Sequence, residues 1–173
     1  MFVLGIDPGL SRCGYCVLEA GGSGSQRRPA VRALGVLRTD PALPVWDRLA
    51  IIQDDVRTLV DEYTVAHVAL ERVVFGANAR TASGVIQAAG VIMAEAVRIG
   101  AVVAEYGPNQ VKEAVTGWGA APKDQVAEMV TSLLGLDAVP SPPDAADAAA
   151  VALCHLATVP LRSATSVATG GGR

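Results

Sequence analysis

The chain predicts an α/β domain: a mixed five-stranded sheet with an antiparallel edge and helices on both faces. Three observations carry this expectation. Apolar residues make up 51% of the 173 while aromatics make up only 4%, so the core has to be built from Val, Ala, Leu and Ile, which suits close packing of helices on a sheet. Short apolar runs of strand length alternate with longer stretches of helical period. Two of the short runs, Val3-Leu4-Gly5-Ile6-Asp7 and Ala66-His67-Val68-Ala69-Leu70-Glu71, stop on a carboxylate, which puts an acid at the rim of the sheet on a rigid element.

Taken in order, Val3 to Asp7 is a buried strand, closed by Pro8, which cannot donate to a ladder, and Gly9, which permits a sharp turn. Gly14 to Glu19 is a second strand, joined tightly and so antiparallel to the first. Ala20 to Pro29 reads as a solvated turn, with Arg27 and Arg28 facing water. Val31 to Leu37 is the third strand. Trp46 to Tyr63 carries a helical stripe of Leu49, Ile52, Val56, Leu59, Val60 and Tyr63. After the fourth strand, a helix from Asn78 or Thr81 to Ile99 is apolar nearly all round. Small residues (Ala82, Gly84, Ala88, Ala89) permit a close second partner, so a homodimer seam is expected along 81–99. His67, at the start of the fourth strand, is expected to be a surface or capping residue.

Gly100 ends that helix, and Ala101 to Tyr106 is the fifth strand. Helices follow from Pro108 to Val115 with Lys112, and from Lys123 to Leu134 behind a Gly117-Trp118-Gly119 turn. Backbone amides at that helix start, flanked by the two lysines, suit a phosphate. Ser141-Pro142-Pro143 opens a last helix to about Leu156, with Ser141-x-x-Asp144 resembling a capping box. Residues 1–160 therefore form one domain, and 161–173 (Ser163 onward reads SATSVATGGGR) have nothing to bury and are expected to be disordered. The order of strands and helices is most like a ribonuclease H fold.

The chain shows no apolar run long enough to span a bilayer and no signal-peptide pattern, so a cytoplasmic location is expected. Cys13-Gly-Tyr-Cys16 sits in a strand-like run, where residues three apart face opposite sides, so it is read as filler rather than a redox pair. A formal charge of −3 argues on its face against a nucleic-acid partner, but two bound divalent cations would reverse its sign.

Asp144 and Asp147 are spaced i, i+3 on one face of the last helix, among small apolar residues. With Asp7 and Glu71 they make four carboxylates, each at the edge of an apolar segment, that would repel one another unless neutralised. All-oxygen ligation suits Mg²⁺ or Mn²⁺, and no Cys/His set with zinc spacing competes. Two such ions can drive phosphodiester hydrolysis.

Four motifs in order, GIDPGLSRCGYCV at the start, ALE ending at Glu71, the glycine-rich turn from Gly117 to Lys123 and PDAADAAAVALCH at the end, resemble the RuvC family of Holliday-junction resolvases, the crossover junction endodeoxyribonucleases, over roughly residues 2–159. The resemblance implies a metal-dependent homodimer with two active sites, making paired symmetric nicks across a four-way junction in recombination and repair. It also implies a RuvA–RuvB branch-migration partner. It puts Asp7, Glu71, Asp144 and Asp147 on the catalytic, metal-binding positions, with two ions per site. Asp7 would be the shared ligand and Glu71 would serve one ion, while the division of Asp144 and Asp147 stays open. Lys112 and Lys123 fall on basic DNA-contacting positions. Where the family often has a stacking aromatic this chain has Val74, so Phe75 is the candidate wedge, and Arg80 is a candidate backbone contact. The alternatives are an actin-like ATPase, for which the chain is too short, a non-catalytic junction binder, and a related nuclease acting on RNA or other branched DNA.

Overall fold

A computed structural model describes residues 1–21, 28–73 and 79–159, with only the backbone at 79–81. Its strands are β1 (Phe2–Asp7), β2 (Arg12–Glu19), β3 (Ala30–Arg38), β4 (His67–Glu71) and β5 (Val102–Tyr106). Its helices are α1 (Val45–Glu62), α2 (Ala79–Arg98), α3 (Pro108–Thr116), α4 (Lys123–Leu134) and α5 (Pro143–Thr158). The sheet order is β3-β2-β1-β4-β5. The tight turn after β1 makes β2 antiparallel to it, and β3 is antiparallel to β2. β4 and β5 return through helices and run parallel to β1, as long crossover connections require. The mixed sheet and antiparallel edge are those the sequence predicts.

Alternation of side chains across the central strands produces two cores. Val3, Cys16, Leu18 and Ala69 pack under α3, α4 and α5, while Leu4, Ile6, Cys13, Val17, Val68 and Leu70 pack under α1 and α2. Cys13 and Cys16 thus lie on opposite faces, both free and buried, and burial pushes each thiol up to about 12. Neither can supply a thiolate near neutral pH.

α2 buries Ala88, Ala89, Ile92 and Ala96 against the sheet. Glu95, 2% exposed, accepts from Gln53 Nε2 at 2.6 Å, Arg57 Nη2 at 2.8 Å and Arg98 Nε at 2.6 Å. These hydrogen bonds hold its carboxyl down at about 2 and tie α2 to α1. On the opposite side of α2, Ile86 and Val97 stay exposed, Val97 at 67%, so the second apolar side expected of this helix is present.

Two local expectations are corrected. α5 starts at Pro143 with Pro142 as its N-cap and no side-chain cap, so the Ser141–Asp144 capping box does not form. His67 is not a surface or capping residue. The second half of α5 packs across the start of β4, and His155 Nε2 lies 2.9 Å from His67 Nδ1, with Tyr106 Oη 2.9 Å from His155 Nδ1. Burial, and then the neighbouring His67, lower His155 to about 4. A base depressed in the folded state gives stability that is present above its unfolded value of about 6.5 and is lost as pH falls toward 4. Urea unfolding of the wild type should lose ~2–3 kcal/mol more between pH 7 and pH 4 than a His155→Gln variant does. Equal losses would show that this histidine is not the source.

Candidate active site

Parallel pairing of β1 with β4, Ile6 opposite Leu70, ends the two strands side by side and sets Asp7 next to Glu71. α5 is then laid across β1 and β2 at unusually short range. A Cβ on Gly5 would fall 2.4 Å from the carbonyl oxygen of Ala148, and one on Gly14 would fall 2.0 Å from that of Asp144. Gly14 is the register partner of Asp7. Two glycines and a run of alanines therefore let the helix backbone rest on the sheet, which carries Asp144 and Asp147 up to Asp7.

A cavity of about 230 Å³ opens there, lined by Asp7, Glu71, Asp147, Lys112 and Lys123, with Pro108, Val111, Val126 and Ala150 beneath. Burial lifts the Asp7 carboxyl to about 7, reinforced by the negative charges of Glu71, Asp147 and Asp144 and partly offset by Lys123. Glu71 is also raised, by burial and then by Asp147, against the pull of Lys123 and Lys112. Lys123 Nζ donates to Asp147 Oδ2 at 2.9 Å, and this bond raises the lysine further. Arg12 Nε stands 3.5 Å from Asp144 Oδ2. Lys123 thus draws on Asp147 and Arg12 on Asp144; Asp7, Glu71 and Asp147 line the cavity, and Asp144 lies outside its lining. Among the described residues no three acid, histidine or cysteine side chains form a ready-made metal cluster.

Three of the sequence-predicted acids, Asp7, Glu71 and Asp147, thus share one cavity, while Asp144 acts on Asp7 electrostatically from beside it, against Arg12. Lys112 and Lys123 both face the cavity. Phe75 and Val74 lie outside the described residues, as do Arg27 and the side chain of Arg80. Arg12 was not expected here. The only sequence signal for it is its position just past the turn that follows Asp7.

A sheet of this order, with acids ending two neighbouring parallel strands and two more on a helix laid across them, defines a ribonuclease H-like nuclease. A family profile described as crossover junction endodeoxyribonuclease RuvC matches residues 3–155. Curated relatives of that name include those of Streptomyces avermitilis, 47% identical over 94% of this chain and 91% of the relative, and Streptomyces griseus, 45% identical over 100% and 83%. Among solved structures, Thermus thermophilus RuvC superposes with a TM-score of 0.83 at 36% identity, covering 91% of this chain and 94% of that one. The same protein in complex with a Holliday junction substrate gives 0.81 at 32%, with the same coverage. The chain belongs to the RuvC family of crossover junction endodeoxyribonucleases, the Holliday-junction resolvases.

Proposed function

We propose that Asp7, Glu71, Asp144 and Asp147 form one catalytic centre that holds two Mg²⁺ or Mn²⁺ ions, and that a homodimer of this chain uses two such centres to nick a four-way DNA junction symmetrically. The observation that carries the reading is the approach of α5 to β1 through Gly5 and to β2 through Gly14, which brings the acids of α5 up to a buried carboxyl that they and Glu71 push toward its protonated form. An all-oxygen donor set of this charge suits hard divalent cations. Such ions, when bound, supply Lewis-acid polarisation of water and of the scissile phosphodiester.

The chain's own groups have separable tasks. Asp7, on the central strand between Glu71 and α5, is the group best placed to be shared by both ions. Glu71 serves one ion, and Asp144 and Asp147 complete the set. Lys112 and Lys123 line the same cavity and offset the charge of an incoming phosphate. Lys123 must then turn from Asp147 toward the phosphate. Phe75 and Arg80 are the proposed contacts with the opened junction, Phe75 in place of the aromatic that Val74 does not provide. The exposed Ile86–Val97 side of α2 supports pairing with a second copy. A RuvA–RuvB partner and a cytoplasmic location follow from the family resemblance and the DNA substrate. No described helix is long and apolar enough to cross a membrane.

The deciding experiment compares a synthetic four-way junction, linear duplex and an RNA–DNA hybrid, each with Mg²⁺ or Mn²⁺ and with EDTA. Paired nicks confined to the junction and abolished by EDTA are expected. Cleavage of the hybrid alone would move the assignment to a ribonuclease of the same fold.

A further inference from the structure

Next to the carboxylate cavity is a larger hollow of about 440 Å³, between the turn after β1 and the starts of α1 and α2. Asp144 is part of its wall and acts electrostatically on Asp7 in the first cavity, so the two spaces are neighbours across one side chain. The same wall includes two arginines, Arg12 and Arg48.

Their settings differ. Arg12 has a side chain 58% exposed and, among the described residues, one ion pair, with Asp144 at 3.5 Å. Arg48 is only 8% exposed. Its Nε donates to Thr39 Oγ1 at 2.9 Å and its Nη2 to Ser11 Oγ at 2.6 Å, while Thr39 Oγ1 donates to the carbonyl of Leu10 at 2.5 Å. The group is thereby fixed against the turn that forms the hollow's floor. All its acceptors are neutral, and among the described residues no carboxylate pairs with it. A largely buried cation without an anion is costly to maintain, and a guanidinium presents a planar fork that matches phosphate oxygens. Among the described lining residues the one acid is Asp144, which Arg12 already meets, so two arginines stand against one carboxylate.

We infer that this hollow is a phosphate-binding subsite for the DNA strand running out of the carboxylate cavity, with Arg48 as the fixed charge and Arg12 as the exchangeable one. The inference rests on the junction-nuclease reading and extends it to a second contact point on the strand. Arg12 is a positioning residue: it holds a neighbouring phosphate and so sets where the scissile one falls.

The test is binding without chemistry. Labelled four-way junction is titrated with the full-length protein in EDTA across a NaCl series. The variants are Arg12→Gln and Gln87→Glu, the latter placing a carboxylate at an exposed position in the same wall without touching either arginine. Arg12→Gln should bind about five- to tenfold more weakly near ~0.1 M salt, with a log–log salt slope shallower by about one. Gln87→Glu should weaken binding by a similar factor with an unchanged melting temperature. Wild-type affinity and slope in both variants would overturn the subsite and leave the nuclease reading standing. A wild type that shows no junction binding would overturn that reading and the subsite with it.

Discussion

Asp7→Asn should abolish nicking while leaving the junction bound. The substitution keeps the shape of the most strongly perturbed acid in the cavity and removes the charge that the other three acids work against. If Asp7 is the shared ligand, single-turnover cleavage should fall by ~10³-fold or more, the scale seen when a catalytic group is deleted. Binding should stay within a few-fold of wild type or tighten, because phosphates then meet one negative charge fewer. Gel-shift and cleavage assays on the same preparation decide it. Parallel loss of binding and cleavage would refute the division of labour, and persistent cleavage would remove Asp7 from the chemistry.

The second large effect is expected from a residue with no functional group. In Gly14→Ala, the new methyl would sit 2.0 Å from the carbonyl oxygen of Asp144, where real Cβ contacts essentially never fall below 3.0 Å. The two nearest atoms, the carbonyl oxygen and carbon of Asp144, are backbone, so α5 has to lift from the sheet. Overpacking of this kind costs ~1–3 kcal/mol, readable as a drop in the urea midpoint. A displacement near an ångström also moves Asp144 and Asp147 away from Asp7, and misplacement on that scale costs ~10²-fold in rate. Cleavage should therefore fall although every acid is still present. A variant with wild-type stability and rate would show that the contact between α5 and β2 does not set the geometry of the centre.

Why the acids were legible in the sequence and their seating was not comes down to range. Asp7 and Glu71 each end an apolar run, a pattern that is legible locally, while their alignment comes from the parallel pairing of Ile6 with Leu70. Asp144 and Asp147 share a helix face by spacing alone. Gly5 and Gly14, by contrast, look like weak points in strands. Their meaning depends on a helix far along the chain that approaches to backbone contact, and no local pattern encodes which helix that is. The setting of His67 is hidden for the same reason. Its partner, His155, is distant in sequence, and a lone histidine at a strand start carries no trace of a second ring. Arg48 sits on the first turn of an amphipathic helix, where an arginine ordinarily faces water. Its burial follows from Thr39 and Ser11, which reach it only once β2 and β3 are paired. The apolar second side of α2 was visible because composition alone shows that one sheet cannot cover a helix apolar all round.

The alanine-lined bed under α5 has one more implication. The helix that delivers two of the acids buries nine of its sixteen residues, between Ala145 and His155, and shares its core with the sheet. Heat is expected to free this part of the centre only together with the core it is packed into. Loss of activity and loss of structure should therefore arrive together as one cooperative event, and an enzyme of this build has no half-working warm state.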